Sequence, residues 1–275
     1  MTRRSVLLVH HAARRQHQYP DNSVAALRAC LDAGARAVEV DIAPLPGGDF
    51  ALEHNARPEG EDAAPPDLLS QALELIRRHP CPIELQLDLK RHRPLTDQAM
   101  SSLATMLQPV KDRILVSSTA DWALRRLRAL DGTLSLGFDP MLYLDVDAGE
   151  KRDTGWFPRG LVKEYDYLDD HPWIIQRWGD AADYVAARAE APEVQAPGMQ
   201  IWYIAARLLN RALHDGFDWI DHLHRQGVQV ATWTLNAGKP DEVSLAQWLV
   251  ARGVNRIMTN DAPALGQVLG ADAVY

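Results

Sequence analysis

Two cysteines in 275 residues, Cys30 and Cys81, are too few for a disulfide framework, and neither sits in a CxxC or other metal-ligand spacing. Both read as reduced structural thiols. No run approaches the roughly 18 apolar residues that a membrane-spanning helix needs. The opening, MTRRSVLLVHH, has a basic lead but too short an apolar stretch for a signal peptide, so the expectation is a cytoplasmic protein. Positive charge is also scarce: 29 Lys and Arg against 37 Asp and Glu leave a net charge of −8. That balance argues against a nucleic-acid partner, which requires a concentrated basic face. No GxGxxG follows the first strand-like run and no GxxxxGK[ST] occurs anywhere, so the common nucleotide-binding signatures are missing. Internal repeats and low-complexity linkers are missing too.

What is present is an ordinary globular composition, 47% hydrophobic and 24% charged, in a chain long for one common domain but normal for an α/β barrel. Eight tryptophans are many, and packing is their default use. Short apolar runs alternate with helical patterns. SVLLV reads as a strand, followed by a helix from about Ser23 with Asp21 and Asn22 as cap candidates and Gly34 at its C′ position. RAVEVD is the next strand, and GGDFALEHN reads as a hairpin or extended insertion after it. PIELQLDLK, RILVSS, LSLGF, GMQIWYI, VQVATWTL and VNRIMTN supply six more strands, with helices near Leu68–Arg78, Thr96–Leu107, ADWALRRLRAL, Ala205–Gln226 (broken at Gly216), DEVSLAQWLVARG and Pro263–Leu269. The stretch 140–197, rich in Asp, Trp and Tyr, predicts loops and at least one helix. About eight strand-then-helix units over this length predict a closed (β/α)8 TIM barrel with a hairpin-like insertion after the second strand. A doubly wound open sheet is the alternative.

Barrel function gathers at the C-terminal ends of the strands. The first strand ends in His10-His11, the second in Glu39-Val40-Asp41 and the third in Asp88-Leu89-Lys90; Trp233 and Asn236, then Asn260 and Asp261, lie near the ends of the last two. Residues i and i+2 share a strand face, so Glu39 and Asp41 point together, as do Asp88 and Lys90. Three clustered carboxylates repel unless a cation neutralises them, and all-oxygen ligation suits a hard ion, Mg²⁺ or Ca²⁺. Lys90 would add positive charge for an anionic substrate such as a phosphate. Of His10 and His11, alternation allows one to face the site without saying which. His54, in the insertion, offers a second imidazole; two imidazoles can take one proton and give another, as a phosphodiester displacement requires. Each feature alone also fits a solvated strand end, a surface ion pair or a hydrogen-bonded histidine. Their coincidence on adjacent strand ends favours a site.

In order along the chain these residues resemble the glycerophosphodiester phosphodiesterase family. PDNSVAAL is similar to its Pro-acidic-Asn-Ser/Thr step, AGARAVEVDIAPLPGGDFALEHN to its Glu-x-Asp…Asp-Gly…His-Asp block, and LDLK to its acidic-x-Lys strand. RILVSSTADWALRRLRAL, VATWTLN and GVNRIMTNDAPAL resemble its Ser-Ser-Phe, Trp-Thr-Val-Asn and closing Thr-Asp-x-Pro segments, while 140–197 matches none of them. The resemblance implies a single barrel domain over 1–275 that hydrolyses a glycerophosphodiester or lysophospholipid-like small molecule to an alcohol and a phosphomonoester. It also implies one divalent cation on Glu39, Asp41 and Asp88, an acid/base couple of His54 and one of His10 and His11, Lys90 near the phosphate, and Trp233 as a pocket wall. His11-Ala12-Ala13 is similar to a His-Ala-Gly opening, which selects His11, with His10 as the alternative. Two departures stand out. The phosphate-binding arginine that usually follows the opening histidine is absent, with Arg14 or Arg15 as possible substitutes, and Asn55 follows His54 in place of Asp. They motivate a non-catalytic phosphodiester-binding barrel as a rival. Another metal-dependent barrel enzyme acting on sugar phosphates, such as an aldolase or isomerase, is a second rival.

Overall fold

Strands covered on both faces by protein need apolar side chains pointing both ways, and that is how the barrel staves read. A computed structural model describes residues 5–15, 19–55, 65–80, 82–146, 160–162, 165–167, 179–270 and 273–275. Cys81 lies outside the described residues; Cys30 is a buried free thiol whose Sγ donates to Ala13 O at 3.2 Å. The staves are β1 (Val6–His10), β2 (Ala37–Pro44), β4 (Glu84–Leu89), β5 (Ile114–Ser118), β6 (Ser135–Phe138), β10 (Ile201–Ala205), β11 (Gln229–Trp233) and β12 (Arg256–Thr259). All pair in parallel, in that order, and the β1–β2 contact at His10↔Val38 closes the ring. The result is the expected (β/α)8 barrel.

Each crossover is built from local signals. Helix α1 (Val24–Asp32) begins at Ser23, whose Oγ accepts from Ala26 N at 3.1 Å, and Gly34 follows it at φ +78°. The cap is therefore Ser23; Asn22, a cap candidate by sequence, bonds elsewhere. Helices α2 (Leu69–Arg78), α3 (Asp97–Leu107) and α4 (Asp121–Leu130) follow the short strand β3 (Phe50–Leu52), β4 and β5. The segment 205–226 forms α6 (Ala206–His214) and α7 (Trp219–Arg225), interrupted at Gly216 with φ +100°. Helices α8 (Pro240–Arg252) and α9 (Ala262–Leu269) complete the ring.

The insertion after β2 is a hairpin: β3 (Phe50–Leu52) runs antiparallel to β2 with Ile42 opposite Leu52 and Pro44 opposite Phe50. Gly47 and Gly48, at φ +97° and +94°, turn the chain as few other residues could. Between β6 and β10 the structure has the expected helix, α5 (Ala181–Gln195), preceded by a small antiparallel sheet that the sequence pattern did not predict, in the order β7 (Leu144–Val146), β9 (Tyr165–Tyr167), β8 (Gly160–Val162). A two-residue strand, β13 (Ala273–Val274), pairs with β1.

Two apolar layers result. The larger lies between the staves and the helices; the smaller fills the barrel with Val9, Ala37, Leu115, Ile201, Tyr203, Ala231 and Met258. Gly137 makes room for the Tyr203 ring, because a Cβ there would sit 2.5 Å from Tyr203 Cε2. At one end the barrel carries Arg256, ion-paired with Glu84, beside Gln229. No helix among the described residues is long and apolar enough to cross a membrane.

Candidate active site

The C-terminal ends of the staves surround a cavity of about 320 Å³ lined by His11, Glu39, Asp41, His54, Asp88, Lys90 and Trp233, among others. Every site residue read from the sequence is there except His10. After β1 the chain makes a tight turn, with Ala12 and Ala13 both at φ +54°, unusual for residues other than glycine. That turn aims the Ala12 N–H at Glu39 Oε2, 2.7 Å away. It also places the His11 ring at the cavity wall, with Nε2 4.0 Å from Glu39 Oε2. Asn260 Oδ1 is 2.9 Å from His11 Nδ1. With that oxygen so assigned, Nδ1 donates to Asn260 and Nε2 is the ring nitrogen left to face the cavity. Asn260 is itself held, its N–H donating to Asn236 Oδ1 at 3.1 Å, and Asn236 donates from N and Nδ2 to Glu242. His10 turns into the wall: it is buried, and Nδ1 is 3.1 Å from Arg14 O. Burial lowers its pKa from the ordinary histidine value.

Oxygens of Glu39, Asp41 and Asp88 all lie within 4.8 Å of one another. Burial, then the neighbouring carboxylates of Asp41 and Asp88, hold Glu39 well above the usual carboxylate range. Lys90 reaches into the group, with Nζ 2.7 Å from Asp41 Oδ1 and 2.5 Å from Asp88 Oδ2. Burial alone would lower its pKa; the two carboxylates raise it instead. One ammonium against three carboxylates leaves the cluster short of positive charge, and Asp41 Oδ1 is buried with no aligned hydrogen-bond donor. A hard divalent cation fits both the charge deficit and the all-oxygen donor set.

Residues behind the trio orient it. Ser117 Oγ donates to Asp88 Oδ1 at 2.9 Å and accepts from Gln86 Nε2 at 3.0 Å. Asn22, buried at φ +52°, grips Asp41 twice: Nδ2 donates to Oδ2 at 2.7 Å, and Oδ1 accepts the Asp41 N–H at 2.9 Å. Asn22→Ala leaves both Asp41 groups buried and unpaired and puts alanine in a left-handed conformation. We expect a loss of about 3 kcal/mol of stability in urea unfolding; a loss under about 0.5 kcal/mol, the size of an ordinary surface change, would show that the pair holds nothing.

Asp139, directly after β6, also lines the cavity and accepts from Met141 N at 2.9 Å. Burial and the Asp88 carboxylate push it up to about 8. Sequence reasoning missed it, although its place at a strand end was the available signal. Neither Arg14 nor Arg15 stands in for the absent arginine. Arg14 pairs with Asp21 (Nε to Oδ1, 2.9 Å), and both arginines border a separate hollow with Tyr19 and Asp32. Among the described residues lining the cavity, Lys90 is the one lysine or arginine.

Fold and site together define a (β/α)8 barrel with an acidic, cation-ready centre and two histidines at its rim. No family model matches the chain, and no curated protein matches it significantly. Solved structures do match. A glycerophosphodiester phosphodiesterase from Parabacteroides distasonis is 14% identical with a TM-score of 0.67, covering 97% of this chain and 98% of that one. An Oleispira antarctica phosphodiesterase, in complex with the product sn-glycerol-3-phosphate, is 15% identical with a TM-score of 0.62 over 96% and 97%. A glycerophosphodiester phosphodiesterase from Agrobacterium tumefaciens is 12% identical with a TM-score of 0.55 over 96% and 98%. The barrel fold is thus shared along nearly the whole of each chain.

Proposed function

We propose that this protein is a metal-dependent phosphodiester hydrolase of the glycerophosphodiester phosphodiesterase kind, cleaving a glycerophosphodiester or lysophospholipid-like substrate to an alcohol and a phosphomonoester. The observation that carries the reading is one cavity holding the Glu39, Asp41 and Asp88 carboxylates, Lys90, and both His11 and His54. The barrel's likeness to phosphodiesterases, one of them bound to sn-glycerol-3-phosphate, supports it.

Glu39, Asp41 and Asp88 would hold one Mg²⁺ or Ca²⁺, which when bound supplies Lewis-acid polarisation and counter-charge for a phosphate. The chain's own residues do the rest. His11, its ring fixed through Asn260, can accept the proton of an attacking hydroxyl at Nε2 or return one from there to the leaving alkoxide; His54 takes the complementary part. Lys90 brings an ammonium to the phosphate side, and Trp233, its Nε1 donating to Tyr203 O at 3.3 Å, forms a rigid wall.

Coupling phosphomonoester release to a phosphatase tests the reading. Glycerophosphodiester turnover should vanish with EDTA and return with Mg²⁺ or Ca²⁺. The absence of any arginine among the described cavity residues favours the binding-barrel rival: diester binding without metal-dependent turnover would establish it, and C–C cleavage of a sugar phosphate would point to an aldolase-type enzyme.

A further inference from the structure

Glu53 does not line the cavity, yet it sits immediately before His54 and is 4% exposed. Its N–H donates to Asp41 O at 3.1 Å, one rung past the β2–β3 ladder. On the other edge of β2, Lys90 N donates to Ile42 O at 2.8 Å. Two segments therefore leave β2 from consecutive carbonyls, one bearing His54 and the other running from Lys90 to Arg93. Glu53 joins them. Its Oε1 accepts from Arg93 Nε at 2.8 Å and lies 3.2 Å from His92 Nε2.

A buried carboxylate is a poor investment in stability, since desolvation offsets much of the Coulombic gain. Burial alone would raise the Glu53 pKa; the Arg93 and His92 contacts instead hold it below the ordinary value. The contact joins loops where backbone pairing gives out, which is where a side chain just beyond a three-residue strand needs outside support. Catalytic groups tolerate misplacement of about 0.5 Å.

We propose that Glu53 is a positioning residue: its carboxylate clamps the segment carrying His54 to the loop after Lys90, fixing the His54 imidazole relative to the Asp88–Lys90 side of the cavity. This rests on the reading of His54 as half of the acid/base couple. Glu53→Gln keeps an acceptor but removes the charge. In the full chain it should lower kcat about tenfold, within the range that small misplacements produce, with KM changed less than twofold. The double variant Glu53→Gln/His54→Ala should be no slower than His54→Ala alone. An equal fractional loss in both backgrounds, or no loss in either, overturns the proposal. Arg93→Lys, which retains the charge, should recover most of what Arg93→Ala loses, and melting curves show that each variant is folded.

A readout independent of turnover separates the clamp from the functional reading. In ¹⁵N-histidine spectra, Glu53→Gln should shift or broaden the His54 ring signals and leave those of His11 in place. Unchanged His54 signals overturn the clamp even in an active enzyme. Perturbed His54 signals in a protein that hydrolyses no diester support the clamp and remove the acid/base role.

Discussion

Glu39→Gln should abolish diester turnover while making the cation-free protein more stable. The side chain is fully enclosed, accepts the Ala12 N–H through Oε2, and faces two further carboxylates. Glutamine preserves the volume and can still accept that N–H, so the turn carrying His11 should persist. What disappears is an acid whose charged form is costly in this place. Without a divalent ion, its ionisation is opposed by burial and then by Asp41 and Asp88, and only partly favoured by the Ala12 N–H and Lys90. Removing it should raise the melting temperature measured in EDTA. Added Mg²⁺ or Ca²⁺ reverses the order. The parent protein gains about 2.7 kcal/mol at a free ion concentration 100 times its dissociation constant, and the variant gains little. Loss of several kcal/mol of charge stabilisation in the transition state corresponds to a rate decrease of about 10³-fold or more. Asp41→Asn should behave alike in rate. A variant with near parental turnover, or one that keeps the full cation-induced stabilisation, would show that the trio is not the metal site.

The parts of this arrangement that could be read in the sequence are those with a short period. Alternation along AVEVD puts Glu39 and Asp41 on one face, and the same rule joins Asp88 to Lys90; the structure brings all four side chains into one cavity. The hairpin was legible because Gly47-Gly48 marks its turn. Other parts depend on contacts that no local pattern encodes. Asn22 resembles a helix cap, and its engagement with Asp41 arises only when β1 and β2 lie side by side. Glu53 meets Arg93 across 40 residues of sequence, so its burial could not be anticipated from ALEHN. The sheet of β7, β8 and β9 escaped because each strand has three residues, two of them centred on the buried acids Asp145 and Asp166. An apolar-run criterion does not register such strands. Asp139 was legible in LSLGFD, since it stands at the end of its strand as Asp41 and Asp88 stand near the ends of theirs.

His11→Ala should reduce turnover by about 10²- to 10⁴-fold, the usual worth of a positioned proton-transfer group, whereas His10→Ala should chiefly reduce stability. Both rings leave the same strand end, and their surroundings differ for a definite reason. Strand alternation sends His10 outward into the packed wall, where Nδ1 meets Arg14 O and burial disfavours the charged form. Truncating it leaves a hole in a packed layer and an unpaired carbonyl, so unfolding should occur at lower urea while the folded fraction retains its rate. His11 instead lies on the cavity side, its Nδ1 held by Asn260 and its Nε2 directed toward Glu39. Alanine there removes a partly solvated ring, with a small effect on folding and a large one on rate. The two variants should therefore separate cleanly in a plot of activity against urea midpoint. A slow, stable His10→Ala together with an active His11→Ala would exchange their roles. Slow rates in both at unchanged stability would indicate that the Ala12–Ala13 turn, rather than either ring, is what the chemistry depends on.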